Sequence, residues 1–101
     1  MIPEEYSLEQ NYPNPFNPAT KIEYRISVAA PSLVEGQQVT LTVYDILGRE
    51  VAQLVNQRQK PGIYEVVWDP SADGLHLSNG VYFYRIVAGN FIQTKKMILI
   101  K

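Results

Sequence analysis

Apolar and polar residues alternate one by one along most of this chain, and that period leaves little room for helices. In "TKIEYRISV", Ile22, Tyr24, Ile26 and Val28 alternate with Lys21, Glu23, Arg25 and Ser27. A period of two sends successive side chains to opposite faces, so the stretch reads as a half-buried strand with one wet face. "VTLTVYD" repeats the pattern, with Val39, Leu41 and Val43 inward and Thr40, Thr42 and Tyr44 outward. "IYEVVWD" puts Tyr64, Val66 and Trp68 on one face. "REVAQLV" alternates more loosely, because Val51 and Leu54 are three apart; a bulge at Ala52 or Gln53 would bring both to the core side.

Turn chemistry separates these runs. "DILGRE" predicts a hairpin closed by Gly48 in the left-handed conformation. "APSLVEGQQ", with Pro31 and Gly36, reads as a loop, and Pro61-Gly62 marks another turn. "PSADGLHLSNG" is the longest irregular connection, and Gly89-Asn90 is a tight link between "VYFYRIVA" and "FIQTKKMILI". With a short first strand near "YSLEQ", the reading is all-β: an Ig-like antiparallel β-sandwich of about seven strands. The chain has no cysteine, so the Cys…Trp…Cys signature of antibody domains is missing and only the architecture is implied.

At 101 residues there is room for one small domain, and 46% hydrophobic with 19% charged residues is a globular composition. A formal net charge of -1 leaves no basic footprint for nucleic acid. The lack of cysteine removes disulfides, thiolate metal sites and a cysteine nucleophile. "MIPEEYSLEQ" has neither a basic n-region nor an apolar h-region, so an exported protein would take its leader from sequence upstream. Apolar runs of about four residues do not span a membrane.

No enzyme is expected. His76, the single histidine, lies in a long loop with no nucleophile elbow nearby. Glu4 and Glu5 are adjacent, without the enclosed cleft that raises an acid's pKa. "DPSADG" spaces Asp69, Ser71 and Asp73 as a calcium loop begins, with Gly74 next. The loop should close on a bidentate Glu where Gly80 stands, and the alternative is that these side chains cap turn amides. No cofactor or resident metal is expected.

Tyr24, Tyr64, Trp68, Tyr82 and Tyr84 keep step with the aliphatic residues of their strands, which makes them core rather than a sugar-stacking strip. Val81, Phe83 and Val87 share the other face of their strand with Arg85, so that strand is central or covered. In "KKMILIK" four successive apolar residues point both ways, bracketed by Lys96 and Lys101. Such a strand completes the core or offers a surface to a partner.

The least strand-like stretch is "NYPNPFNPAT". Pro13, Pro15 and Pro18 forbid a helix and break strand ladders, yet Phe16 is too large and apolar for a solvated spacer. The expectation is a plug: Asn-Pro turns aim Phe16 into the open end of the sandwich while asparagines cap the amides those turns leave free.

"NYPNPFNPATKIEYRI", "VTLTVYDILGREVAQLV", "PGIYEVVWD", "LSNGVYFYRI" and "KKMILIK" occur in the order seen in type IX secretion system C-terminal sorting domains of type A, which the chain resembles over about residues 8–101. On that resemblance residues 1–7 are a linker or remnant and residues 8–101 the sorting domain, an Ig-like β-sandwich at the end of larger secreted proteins of Bacteroidetes-like bacteria. It implies a fused N-terminal cargo, passage through the periplasm, recognition by an outer-membrane translocon, and removal by a cell-surface sortase; the cut is expected within or before "MIPEEYSLEQ", since the fold would shield later bonds. The positions matching the family's motifs are Pro13, Asn14, Pro15 and Phe16, then Gly80 and Tyr82, then Lys96 and Lys101. The competing expectations are an Ig-like accessory module, binding carbohydrate or acting as a spacer, and an assembly module like that of flagellar hook-capping proteins.

Overall fold

The computed structural model describes residues 3–28 and 36–101. They form seven strands: β1 (Ser7–Leu8), β2 (Thr20–Ile26), β3 (Gln37–Tyr44), β4 (Glu50–Gln59), β5 (Gly62–Trp68), β6 (Gly80–Ala88) and β7 (Phe91–Leu99), with no helix among the described residues. Two antiparallel sheets result, ordered β1-β2-β5 and β4-β3-β6-β7. This is the all-β sandwich that the alternation predicts. Pro31 of the expected loop lies outside the described residues, and Gln37 and Gln38 already belong to β3.

The core lies between the sheets and is built from the inward set of each strand. Ile22, Tyr24 and Ile26 of β2, Val39, Leu41 and Val43 of β3, Trp68 of β5, and Tyr82, Tyr84 and Ile86 of β6 are all buried. Val28 departs from the expected alternation: β2 ends at Ile26, and Val28 is exposed beyond it. Tyr24 stacks on Tyr64 with centroids 5.4 Å apart, and its hydroxyl donates to the buried Gln59 Oε1 at 2.7 Å. Burial is the main cause that raises the Tyr24 pKa.

The hairpin at Asp45–Gly48 forms as the sequence predicts, with Gly48 at φ 82° and its amide donating to Asp45 O at 3.0 Å. The Asp45 carboxylate accepts from the Arg49 and Leu47 amides, and these bonds hold its pKa below the usual value. β4 corrects the expected bulge. Its register against β3 slips twice, leaving Leu54 and Val51 unpaired, not Ala52 or Gln53. Two extra residues let Val51, Ala52, Leu54 and Val55 all pack on the core, which strict alternation forbids.

β6 sits between β3 and β7, which explains its two apolar faces: Tyr82, Tyr84 and Ile86 face the core, while Val81, Phe83 and Val87 are half-buried on the outer face. β7 is an edge strand of its sheet, with Met97 and Leu99 buried inward and Ile98 half-buried outward. Ahead of β1, Pro3 O accepts from Val28 N at 2.8 Å, Glu4 O accepts from Ser27 Oγ at 2.8 Å, and Tyr6 stacks on Phe91. Tyr6 also donates through its hydroxyl to Gln37 Oε1.

Candidate functional site

The two ends of the domain meet along one seam. In the stretch that contains cis peptides at Tyr12-Pro13, Asn14-Pro15 and Asn17-Pro18, Phe16 turns inward and is 1% exposed. Its ring lies against Trp68, centroids 5.9 Å apart and tilted by 45°. Its main chain pairs with the last strand: Phe16 N donates to Ile98 O at 2.9 Å, and Ile100 N donates to Phe16 O at 3.1 Å. This parallel bridge sits beside Leu99. Phe16 therefore fills the core, as the sequence predicts, and also closes an edge that the sequence does not reveal.

The asparagines behave differently from the expected local caps. Asn14 Oδ1 accepts from Ile98 N at 3.0 Å, across 84 positions of sequence. Gln10 Nε2 donates to Lys96 O at 2.7 Å. Asn11, nearly fully buried, donates through Nδ2 to Thr20 Oγ1 at 2.9 Å and Pro13 O at 3.1 Å. Its amide donates to the Tyr84 hydroxyl, which in turn donates to Glu9 O, both at 2.8 Å. That hydroxyl ties the segment to the centre of the larger sheet, and burial pushes its pKa up to about 12. Gln10, Asn11, Thr20 and Tyr84 carry no sequence signal for this role beyond Tyr84's place in the core pattern.

At the same end of the sandwich, Gly80 opens β6 at φ +141°, a conformation that L side chains rarely adopt. Two residues on, Tyr82 turns its hydroxyl back to donate to Ser78 O at 2.7 Å. Burial leads the causes that raise the Tyr82 pKa. Lys101 N donates to Asn79 Oδ1 at 2.8 Å. The Gly-x-Tyr pair thus fixes the loop against which the last residue rests. Pro13, Asn14 and Pro15 are exposed beside this seam, and so are Lys96 and Lys101. The structure brings the motif residues of both chain ends together, with Lys96 three residues before the bridged Leu99 on β7.

The remaining chemical candidates sit elsewhere. Asp69 Oδ1 accepts from Ser71 N at 3.0 Å, Ser71 Oγ at 2.6 Å and Ala72 N at 3.3 Å, which is turn capping. The bond from Ser71 is the leading cause that lowers the Asp69 pKa. Asp73 is exposed, and among the described residues no group of three or more His, Asp or Glu side chains is arranged to hold a metal ion. His76 is exposed in the loop after Asp69. Tyr12 is the most exposed of the large apolar side chains among the described residues. No helix of the described residues is long and apolar enough to cross a membrane.

Comparison with known proteins gives the same direction as the motifs. Residues 10–101 match the family described as secretion system C-terminal sorting domain, and the chain belongs to that family. Searches of curated proteins and of solved structures gave no significant match. Members of the family are C-terminal sorting signals for type IX secretion. Membership ties the chain to the type IX machinery, to a cargo fused ahead of it, and to export to the cell surface or beyond.

Proposed function

We propose that the outer-membrane translocon of the type IX system reads this domain at the end of the sandwich where the Asn-Pro segment meets the last strand. The single observation that carries the reading is the seam itself: Phe16 and Asn14 bind the main chain of Ile98 and Ile100, so the motifs of both chain ends form one rigid surface. A signal read behind many different cargoes needs a shape that does not depend on what precedes it. Lys96 and Lys101 stand exposed beside that surface and serve as its cationic contacts. The cargo passes through the periplasm ahead of the domain. A cell-surface sortase then cuts upstream of Leu8, whose side chain is buried and whose backbone pairs with β2.

The domain does this without catalysis of its own. The reading is supported by the engagement of Asp45 and Asp69 in turn capping and by the solvated position of His76. The test is surface display of a periplasmic reporter fused ahead of residues 3–101 in a type IX-competent bacterium. Deleting Met97 to Lys101 removes the partner of Phe16 and is expected to leave the reporter in the periplasm. Undiminished display after that deletion rules out the seam as the recognised element.

A further inference from the structure

Beyond the seam, β7 keeps a stretch of unpaired backbone. Outward bonds at Lys96, Ile98 and Ile100 set the parity of the strand, so Ile92 and Thr94 also turn their N–H and C=O groups away from β6. Among the described residues nothing pairs with those groups. Two of the other three sheet edges carry their own protection. β4 is bulged twice, and β5 carries Glu65 at its middle, ion-paired to Lys21 at 3.6 Å.

The face beside this open edge carries two cations that form no ion pair among the described residues, although Asp45, ion-paired to Arg49, lines the same cleft as Arg85. Across β6 and β7 the face presents Val81, Phe83, Ile98 and Ile92 (61% exposed), with Arg85 and Lys96 among them and no Asp or Glu on either strand. Arg85 lies over the Tyr44 ring at 5.3 Å and donates to Thr94 Oγ1 at 3.1 Å; neither Arg85 nor Lys96 has an acidic partner among the described residues. On the other sheet, Lys21 and Arg25 each have one.

We propose that the Ile92–Lys96 edge of β7 receives an extended segment of a protein of the export machinery, one that alternates acidic and apolar residues. Its main chain adds a strand to the sheet, its carboxylates meet Arg85 and Lys96, and its apolar side chains cover Ile92 and Phe83. Open backbone favours a peptide over a membrane surface, since lipid headgroups satisfy the cations but not a row of amides. This rests on the sorting role above and adds the partner's chemistry and its place.

The experiment uses the reporter fusion with Thr94→Pro, which removes an outward N–H that no neighbouring strand uses. Val67→Pro is the control, because Val67 stands opposite Lys21, whose own bonds go to Tyr12, so its amide also faces outward. Surface display is expected to fall at least about tenfold for Thr94→Pro and to hold for Val67→Pro, with the Trp68 emission of both unchanged. If Thr94→Pro does not fold, the double variant Arg85→Glu with Lys96→Glu decides, since both side chains are exposed; it should lose display to a similar degree. Wild-type display by a folded Thr94→Pro, or by the charge variant in its place, overturns the proposal. So does display that tracks binding to phosphatidylcholine–phosphatidylglycerol vesicles and not the proline, which assigns the face to a lipid surface. A wild-type fusion that never reaches the surface instead defeats the sorting reading on which this rests.

Discussion

Replacing Phe16 with alanine removes the ring that closes the core while leaving intact the peptide groups that bind β7. The side chain is 1% exposed and lies against Trp68, so almost all of its apolar area returns to water or to a cavity. At roughly 25 cal/mol per Å² over about 150–200 Å², the transfer alone is ~4–5 kcal/mol. Large-to-small changes at buried aromatics cost about 3–5 kcal/mol, so the two routes agree. Against a total of about 5–15 kcal/mol for a domain of this kind, the variant keeps only part of its stability. Urea unfolding followed by the emission of Trp68, the sole tryptophan, reads the change at the site itself. With a slope of roughly 1–2 kcal/mol per molar, the midpoint should fall by about 2–4 M and the native emission should shift to the red. Exposed Lys60→Ala should move the midpoint by less than about 0.5 M. A loss below about 1 kcal/mol with unchanged Trp68 emission would refute the plug, because a residue so placed cannot leave the core cheaply.

Asn14→Ala removes the acceptor for the Ile98 amide at an exposed edge; it should cost about 0.5–1.5 kcal/mol and speed hydrogen exchange at Ile98 more than at Met97. Gly80→Ala forces a Cβ into φ +141°, where space is open but the backbone is strained; thermal melting should report a loss of about 1–3 kcal/mol. The raised Tyr84 pKa makes the neutral hydroxyl the form that folding favours. Its contribution, on the order of 2–3 kcal/mol, is complete below the unfolded value near 10 and is lost as pH rises through about 12. Urea midpoints measured across that window should fall steeply, and Tyr84→Phe should flatten the slope.

β2 and β3 were legible because polar residues alternate with their apolar ones, so Ile22, Tyr24, Val39 and Leu41 announce the core through parity alone. In β4 the strand and the need for a bulge were legible but not the number and place of the bulges, since the two sit at the apolar residues Val51 and Leu54 and break the very period used to find them. Phe16 could be read as a plug from its chemistry among prolines. The second half of its role could not, because a main-chain bridge to Ile98 and Ile100 uses no side chain and so leaves no mark on composition. Asn14 misled for a related reason. An asparagine before proline favours a local turn bond, but here its oxygen accepts from the amide of a strand residue 84 positions away. Arg85 was visible as the charge on an apolar face, whereas its lack of an ion pair depends on how the strands pair.

The most direct test of the central claim places the wild-type reporter fusion in two otherwise identical bacteria, with and without the type IX outer-membrane translocon. Protease shaving of intact cells then measures how much reporter stands outside. Surface reporter is expected only where the translocon is present, with the protein retained in the periplasm of the deficient strain. Equal surface reporter in both strains would contradict that claim.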